Sequence, residues 1–190
     1  MKKILILDNY DSFTYNLVHY VKEYANFEVD VFRNDKIALD DVDKYDTIIL
    51  SPGPGLPENA GILKALIKQY APTKKILGVC LGMQAVGEVF GGKLVNLETV
   101  FHGVATPIEV TKTADLLYKN LPNKFNVGRY HSWVIANKDF PKELEITSKE
   151  ENGQIMSLKH KDYALYGVQY HPESILTEHG KKMIHNFLEI

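Results

Sequence analysis

A single cysteine between glycines is the strongest chemical feature of this sequence. Cys80 lies in the segment GVCLG at residues 78–82, after an apolar run at residues 75–79 and before a helical stretch at residues 83–90. A strand that turns sharply into a helix strains its central residue, needs small flanking residues and lifts the central side chain clear of the sheet. The positive end of the following helix dipole favours thiolate over thiol. The segment therefore predicts a nucleophile, although a lone cysteine is more often a buried structural residue.

A base for this thiol is predicted at His171, in the segment GVQYHPE at residues 167–173. His171 follows an apolar strand directly, and parallel sheets present the residues at the carboxyl ends of their strands to a ligand crevice. Glu173 lies beyond the rigid Pro172 and can hold one ring nitrogen while the other faces the sulfur. We therefore predict a triad of Cys80, His171 and Glu173.

Two other interpretations of these three residues are a solvated turn and a zinc site. Structural zinc sites commonly have four ligands, with paired Cys or His residues at short spacing. The sequence lacks that pairing, so no metal is expected.

A rigid loop, SPGPG at residues 51–55, follows the apolar run at residues 47–50. Its prolines and glycines leave few side chains, so backbone N–H groups can come close to a ligand. We predict that the N–H groups of Gly55 and Leu81 hold a developing oxyanion. A phosphate-binding loop is excluded, because no Gly-Lys-Ser/Thr follows.

The elements that must position these residues are predicted from the apolar runs. In the first half, short runs without alternation are separated by amphipathic stretches, which is typical of strands covered by helices on both faces. These runs lie at residues 4–7, 15–24, 29–32, 47–50, 62–70 and 76–79. Residues 15–24 are expected to be helical, with Asp11 or Ser12 as the cap. The predicted apolar stripe of that helix contains Tyr15, Leu17, Val18, Val21, Lys22 and Tyr24.

The second half is predicted to be rich in strands. Its apolar runs lie at residues 93–97, 104–110, 127–135, 144–147, 155–158 and 165–170. Asn152-Gly153 and Lys161-Asp162 mark turns, and Asn-Gly is a favoured hairpin dipeptide. A terminal helix at residues 178–188 is expected to bury Met183, Ile184, Phe187 and Leu188.

The composition is that of an ordinary globular protein. With 190 residues, 45% apolar residues and a formal net charge of −2, the chain is expected to form one domain over residues 1–190. Nothing favours nucleic acid. No apolar stretch approaches the roughly 18 to 20 residues of a membrane span, and no cleavable signal precedes the first strand. With one cysteine and no possible internal disulfide, a cytoplasmic location is the simplest expectation.

Together these residues resemble the class I (triad) glutamine amidotransferases. SPGPG, GVCLGMQ, YHSW and GVQYHPES, at residues 51–55, 78–84, 130–133 and 167–174, have the family's order and spacing and extend over nearly the whole chain. The opening DNYDSFTYN is similar to the glutaminase subunits of anthranilate and aminodeoxychorismate synthases. The resemblance implies an α/β fold, with an open, mostly parallel, flavodoxin-like sheet flanked by helices and a small antiparallel addition.

The resemblance also implies the site. The nucleophile, base and orienting acid would be Cys80, His171 and Glu173. Glutamine would be bound by Gly53, Pro54, Gly55, Gln84, Ser132 and Trp133, with His131 helping to shape the pocket. No cofactor is implied. Met83 stands where close relatives usually have His, and Trp133 where they usually have Leu; activity is expected to survive both.

The function implied is hydrolysis of L-glutamine, with ammonia passed to a chorismate-using synthase subunit. The partner would dock near Cys80 and residues 8–13, in a heterodimer or heterotetramer, and make anthranilate for tryptophan or aminodeoxychorismate for folate. A cysteine peptidase of similar fold and a non-catalytic regulatory module are the alternatives. The SPGPG loop argues against the first, and the complete triad argues against the second.

Overall fold

The computed structural model describes residues 2–24 and 27–190 and shows a sheet flanked by helices. The strands are β1 (Lys3–Asp8), β2 (Glu28–Arg33), β3 (Thr47–Leu50), β4 (Lys75–Val79), β5 (Leu94–Asn96), β6 (Val104–Val110), β7 (Lys124–Arg129), β8 (Trp133–Ile135), β9 (Leu144–Glu150), β10 (Ile155–His160) and β11 (Leu165–Val168). The α-helices are α1 (Thr14–Tyr24), α2 (Leu63–Tyr70), α3 (Leu81–Val89) and α4 (Gly180–Glu189). Short 3₁₀ helices lie at Asp40–Lys44, Pro57–Asn59 and Leu116–Tyr118.

The main sheet has nine strands in the order β2-β1-β3-β4-β11-β10-β9-β6-β7. Neighbours from β2 to β11 pair in parallel, and neighbours from β11 to β7 pair antiparallel. β5 and β8 form a separate two-stranded antiparallel sheet. The predicted fold class, a parallel sheet flanked by helices with an antiparallel addition, is confirmed.

The inner parallel strands β1, β3, β4 and β11 are largely buried on both faces, as their non-alternating apolar runs predict, whereas the edge strand β2 is only partly buried. Along β1, Leu5 and Leu7 pack in a core cluster with α2 and α3, whereas Ile4 and Ile6 pack in a second cluster with α1 and α4. Each fully buried aliphatic side chain of this kind contributes about 1.5 to 3 kcal/mol. The two clusters hold the central strands between two layers of helix.

Helix α1 differs from the prediction in the face that it buries. Thr14, Leu17, Val18 and Val21 are buried, whereas Tyr15 is 69% exposed. The predicted stripe is therefore confirmed at Leu17, Val18 and Val21 and wrong at Tyr15 and Lys22, because spacings of three and four starting from Thr14 define the inner face. Asp11 is the residue that supports the start of the helix: its carbonyl accepts from the N–H of Thr14, and its carboxylate accepts from the N–H of Phe13.

The second half is rich in strands, as predicted. The Asn152-Gly153 turn joins the antiparallel strands β9 and β10, with Gly153 at φ +82°. The apolar run at residues 127–135, however, forms two strands in different sheets, β7 and β8. The residues between these strands are hydrogen-bonded to a distant segment of the chain. The N–H of Leu97 donates to the carbonyl of Ser132, and the N–H of Phe101 donates to the carbonyl of His131.

The last helix closes the second core cluster. It begins at Gly180, two residues later than predicted, and the four side chains expected to be buried are all buried. Within the described residues, none of the helices is both long and apolar enough to span a membrane.

The register of three parallel strands decides where the predicted site residues emerge. Leu50 lies beside Gly78, and Val168 lies beside Val79. The segments that follow these strands, beginning at Ser51, Cys80 and Gln169, therefore leave the sheet together at its carboxyl edge.

Candidate active site

Cys80 occupies a sharp turn between β4 and α3. Its backbone has φ 51° and ψ −101°, a conformation that L residues rarely adopt. Both flanking glycines are needed for packing: a Cβ at Gly78 would lie 2.5 Å from the carbonyl carbon of Gly82, and a Cβ at Gly82 would lie 2.8 Å from the carbonyl oxygen of Leu50. The turn places the sulfur at the amino terminus of α3.

The Cys80 side chain lies at the junction of two cavities of about 390 Å³ each. It is only 5% exposed, yet it belongs to the lining of both. The first cavity is lined by Gly53, Pro54, Gly55, Gln84, Val100, Phe101, His102, Tyr130, His131, Ser132 and Trp133. The second is lined by Tyr10, Asp11, Ser12, Phe13, Pro52, Gly53, Pro54, His102, Tyr130 and His171. A volume of this size suits a small ligand.

His171 and Glu173 form a buried hydrogen-bonded pair, and His171 lines the second cavity together with Cys80. The distance between His171 Nδ1 and Glu173 Oε1 is 2.7 Å, and both side chains are almost fully buried. His171 Nε2 has no hydrogen-bond partner among the described groups. Burial by itself lowers the pKa of His171, but interactions with Cys80 and Glu173 outweigh it and raise the pKa to about 10. The arrangement therefore favours a protonated imidazole beside the sulfur.

The turn that carries this pair is held tightly. The His171 N–H donates to the carbonyl of Gly128, and the His171 carbonyl accepts from Thr177 Oγ1 at 2.5 Å. The imidazole packs against the ring of Tyr130 at 4.8 Å and the ring of Phe13 at 6.1 Å between centroids. These contacts restrict its orientation.

Of the two predicted oxyanion donors, Gly55 lines the first cavity with Cys80, and Leu81 follows Cys80 in the chain. Gly55 has φ +74°, and Leu81 is the first residue of α3, so its N–H has no carbonyl one turn earlier to bond. The loop carrying Gly55 packs on Asn9, whose N–H donates to Ser51 Oγ and whose Nδ2 donates to the Ser51 carbonyl, each at 2.8 Å. A Cβ at Gly53 would lie 2.4 Å from the Asn9 carbonyl oxygen.

The predicted glutamine-binding residues Gly53, Pro54, Gly55, Gln84, Ser132 and Trp133 all line the first cavity. Gln84 Nε2 donates to the Trp133 carbonyl at 2.9 Å and to Gln169 Oε1 at 3.3 Å. Trp133 thus contributes its backbone. Met83 is fully buried and packs on Gly167, where a Cβ would lie 2.9 Å from Met83 Cγ.

Gln169, Asn9 and Asp11 are site residues that sequence reasoning did not assign to the site. Gln169 Nε2 lies 3.6 Å from Cys80 Sγ. Its signal was its place directly after the carboxyl end of β11, the edge from which the other segments of the site leave the sheet. Asn9 and Asp11 follow the carboxyl end of β1, the edge to which the other site residues were assigned.

Asp11 brings a second carboxylate to the histidine. One potential ligand atom each of Asp11, His171 and Glu173 lies within 4.8 Å of the other two. Within residues 2–24 and 27–190, this is the group of His, Cys, Asp and Glu side chains that is close enough together to hold an ion. Cys80 is not among them, so this group differs from the zinc site of Cys80, His171 and Glu173 that the sequence left as an alternative. Burial raises the pKa of Asp11, while the Phe13 N–H and His171 oppose that rise.

Comparisons with known proteins agree with this geometry. The chain is 47% identical to anthranilate synthase component 2 of Cyanophora paradoxa, over 97% of each chain. It is 42% identical to aminodeoxychorismate/anthranilate synthase component 2 of Bacillus subtilis, over 98% of this chain and 95% of that protein. It is also 42% identical to the bifunctional protein TrpGD of Thermotoga maritima, but it spans only 32% of that protein's length.

Solved structures share the fold. A protein from Thermoplasma acidophilum, described as part of a GMP synthase, superimposes with a TM-score of 0.88 at 25% identity, over 100% of this chain and 93% of that one. The sequence model of the family described as Glutamine amidotransferase class-I matches residues 5–190. The resemblance seen in the four ordered motifs is thereby confirmed, and the chain belongs to the class I glutamine amidotransferase family.

Proposed function

We propose that this chain is the glutaminase subunit of a chorismate-using synthase, with Cys80, His171 and Glu173 as its catalytic triad. The observation that carries the proposal is the meeting of three features at Cys80. Its sulfur lies on a strained elbow and lines both cavities, and the buried His171–Glu173 pair reaches the second cavity through His171, whose Nε2 has no partner among residues 2–24 and 27–190. The first cavity, lined by the Gly53–Gly55 loop and by Gln84, is of a size that suits the small polar substrate glutamine.

In the first half-reaction, the thiolate of Cys80 attacks the carboxamide carbon of glutamine and forms a C–S bond. The N–H groups of Gly55 and Leu81 stabilise the oxyanion, an effect worth about 3 to 4 kcal/mol per donor. The C–N bond then breaks while protonated His171 donates its Nε2 proton to the departing nitrogen. The products are ammonia and a γ-glutamyl thioester.

In the second half-reaction, neutral His171 takes a proton from water through Nε2. The resulting hydroxide attacks the thioester carbonyl, and the C–S bond breaks. Glutamate leaves, and the thiolate of Cys80 and the protonated His171 are restored. Glu173 keeps the imidazole oriented through its bond to Nδ1 and stabilises the positive charge in both steps.

Substitution of Cys80 tests this mechanism directly. We expect Cys80→Ser and Cys80→Ala to lose glutamate release, and the parent to accumulate a glutamyl adduct on Cys80 that mass spectrometry detects after rapid acid quench. Because Cys80 is the single cysteine, labelling of the thiol reports on this site alone. Met83→Leu, a buried apolar change in the helix that follows Cys80, is the matched control and should keep parental activity. A Cys80→Ala protein with the parental rate would end the proposal.

The partner subunit is proposed to dock at the mouth of the second cavity. Tyr10 is 46% exposed and lines that cavity, and Ile175, 98% exposed, lies on the turn that carries Glu173. Contiguous exposed apolar patches mark interaction sites, and we propose that these two residues belong to one. Docking here would cover the cavity, so that ammonia passes to the synthase instead of to solvent.

Mixing this chain with a chorismate-using synthase subunit tests the assignment. We expect a complex, a heterodimer or heterotetramer, in which glutamine supports formation of anthranilate or aminodeoxychorismate. Glutaminase turnover that is already maximal without any synthase, combined with failure to form a complex, would contradict it. The partner decides between the tryptophan and folate products. A cytoplasmic location is also part of this proposal, because a thiolate nucleophile must stay reduced to react.

A further inference from the structure

A buried arginine lies behind the wall of the first cavity. Arg129 is 1% exposed, its guanidinium carbon lies 3.5 Å from the centre of the Phe101 ring, and its terminal nitrogen donates to Gln154 Oε1. Burial lowers the pKa of Arg129 to about 10, with Glu150 opposing the fall, so the group stays charged at neutral pH. A buried guanidinium needs hydrogen-bond acceptors around it, so Arg129 is expected to fix the orientation of the groups that accept from it.

Arg129 determines which nitrogen of His131 carries the proton. Arg129 Nε lies 3.1 Å from His131 Nε2, and His131 Nδ1 lies 3.0 Å from the Trp133 carbonyl oxygen. An arginine N–H can only donate and a carbonyl can only accept. Nε2 must therefore be the bare acceptor, and Nδ1 must carry the proton that it donates to Trp133. Burial and then the charge of Arg129 lower the pKa of His131 to about 3, so the ring stays neutral.

The Trp133 carbonyl in turn determines how the amide of Gln84 is oriented. It accepts from His131 Nδ1 and from Gln84 Nε2, which uses both of its lone pairs. The other Nε2 proton of Gln84 points to Gln169 Oε1, which leaves Gln169 Nε2 facing Cys80 Sγ. With both of its N–H bonds engaged in the protein, Gln84 can offer only its oxygen to a ligand in the cavity.

We propose that Arg129 and His131 are positioning residues for the substrate: they fix the Trp133 carbonyl, which holds the Gln84 amide with its oxygen available to an N–H donor of glutamine. The inference rests on the proposed function, because it assumes that the amino acid occupies the first cavity. Neither Arg129 nor His131 is assigned a bond-breaking step. Their effect would be on glutamine affinity.

The first test uses the parent protein. In ¹⁵N NMR spectra, we expect His131 to show the shifts of a neutral Nδ1–H tautomer, with a slowly exchanging ring proton and no titration between about pH 5 and 8, because its pKa lies far below the usual ~6.5. An Nε2–H tautomer, or a ring that titrates in this range, overturns the proposal. This readout needs no variant and no partner.

The second test compares His131→Asn with His131→Gln. The Asn amide can place an N–H where Nδ1 lies and keep the bond to Trp133, whereas the longer Gln amide reaches the Nε2 position and satisfies Arg129 instead. We measure the glutamine concentration that halves the rate of Cys80 alkylation by iodoacetamide. We expect His131→Asn to stay within about threefold of the parent and His131→Gln to need about tenfold more glutamine, the cost of roughly one lost hydrogen bond.

Alkylation without glutamine separates positioning from damage to the site. It should stay within about twofold of the parental rate in both variants, since one lost hydrogen bond lies outside the triad. Equal glutamine requirements for the two variants, or alkylation that slows in parallel with weaker protection, overturns the positioning role. If His131→Gln does not fold, the ¹⁵N NMR spectrum of the parent tests the proposal alone: a neutral Nδ1–H tautomer supports it, and an Nε2–H tautomer overturns it. A parent that glutamine does not protect contradicts the proposed function itself, whatever the tautomer.

Discussion

At the residue scale, Cys80 and two neighbouring side chains, His171 and Gln169, each supply a different property. The strained backbone of Cys80 points its sulfur toward two cavities, although the side chain is almost buried. His171 brings an Nε2 that has no hydrogen-bond partner in the described part of the chain, and Gln169 brings an N–H donor whose nitrogen lies 3.6 Å from the sulfur. A sulfur anion in this position would be stabilised by directed donors instead of bulk water.

Glu173→Gln tests the electrostatic part of the triad. The carboxylate favours the charged imidazole, so its loss should lower the pKa of His171 from about 10 and move the alkaline limb of the kcat/KM profile to lower pH. We expect kcat/KM to fall by at least about 100-fold, since the equivalent change in a serine-protease triad costs about 10⁴ in kcat. Glu58→Gln, at an exposed position, is the control. An unchanged alkaline limb would show that Glu173 does not set the charge of His171.

The same pair affects stability. The native pKa of about 10 lies above the ~6.5 of an unfolded histidine, so the contribution is complete below about pH 6.5 and is lost as the pH rises toward 10. Chemical denaturation at a series of pH values should therefore show a steeper alkaline loss of unfolding free energy in the parent than in Glu173→Gln. Parallel pH curves for the two proteins would contradict this.

At the scale of elements, the elbow between β4 and α3 depends on glycine for space. We expect Gly78→Ala to lower the free energy of unfolding by about 2 to 4 kcal/mol, because its Cβ would lie 2.5 Å from backbone atoms of Gly82 that cannot move independently. Gly153→Ala is the matched control: it has φ +82° but open space around it, so strain alone should cost about 1 to 2 kcal/mol. Equal losses in urea titrations would contradict the steric explanation.

The start of helix α4 packs against the turn that carries His171 and Glu173. A Cβ at Gly180 would lie 1.8 Å from the carbonyl oxygen of Pro172, between His171 and Glu173. We therefore expect Gly180→Ala to displace this turn and lower kcat/KM by about 10- to 100-fold without touching substrate, as small misplacements of catalytic groups do. Lys182→Ala, on the exposed side of the same helix, should change little. Full activity of Gly180→Ala would show that the turn does not depend on α4.

The sequence predicted most elements because each depends on local pattern. The buried parallel strands have continuous apolar runs, and the β9–β10 hairpin has its Asn-Gly turn. It missed the division of residues 127–135 into β7 and β8, because the hydrogen bonds that hold residues 131 and 132 come from Phe101 and Leu97, about 30 residues earlier. Pairings over such a distance leave no periodicity in either segment.

At the scale of the whole molecule, the site lies at one edge of the sheet and the exposed apolar residues lie beside it. Tyr10 lines the second cavity, and Ile175 lines a neighbouring third cavity together with Glu173 and Tyr130. Leu116, which is 52% exposed, lies instead in a 3₁₀ helix against α4 and lines none of these three cavities. The two positions offer a comparison between the proposed docking surface and another part of the molecule.

Ile175→Lys tests the docking surface. We expect it to weaken binding of the synthase subunit by about tenfold or more, because a buried apolar anchor would become a desolvated charge, while thermal stability of the isolated chain stays unchanged. Leu116→Lys is the control and should bind normally. Isothermal titration calorimetry measures both affinities. Equal affinities for the two variants would place the partner elsewhere.

The sequence by itself determined the chemistry and the order of the elements: a sulfur between glycines, a histidine with a carboxylate two residues on, and strands alternating with helices. These follow from residue type and local spacing, which folding does not alter. Tertiary structure alone decided that Asp11 approaches His171, that Gln169 faces the sulfur and that Arg129 sets the protonated nitrogen of His131. Each depends on a distance or hydrogen-bond direction between side chains that only the packed sheet brings together.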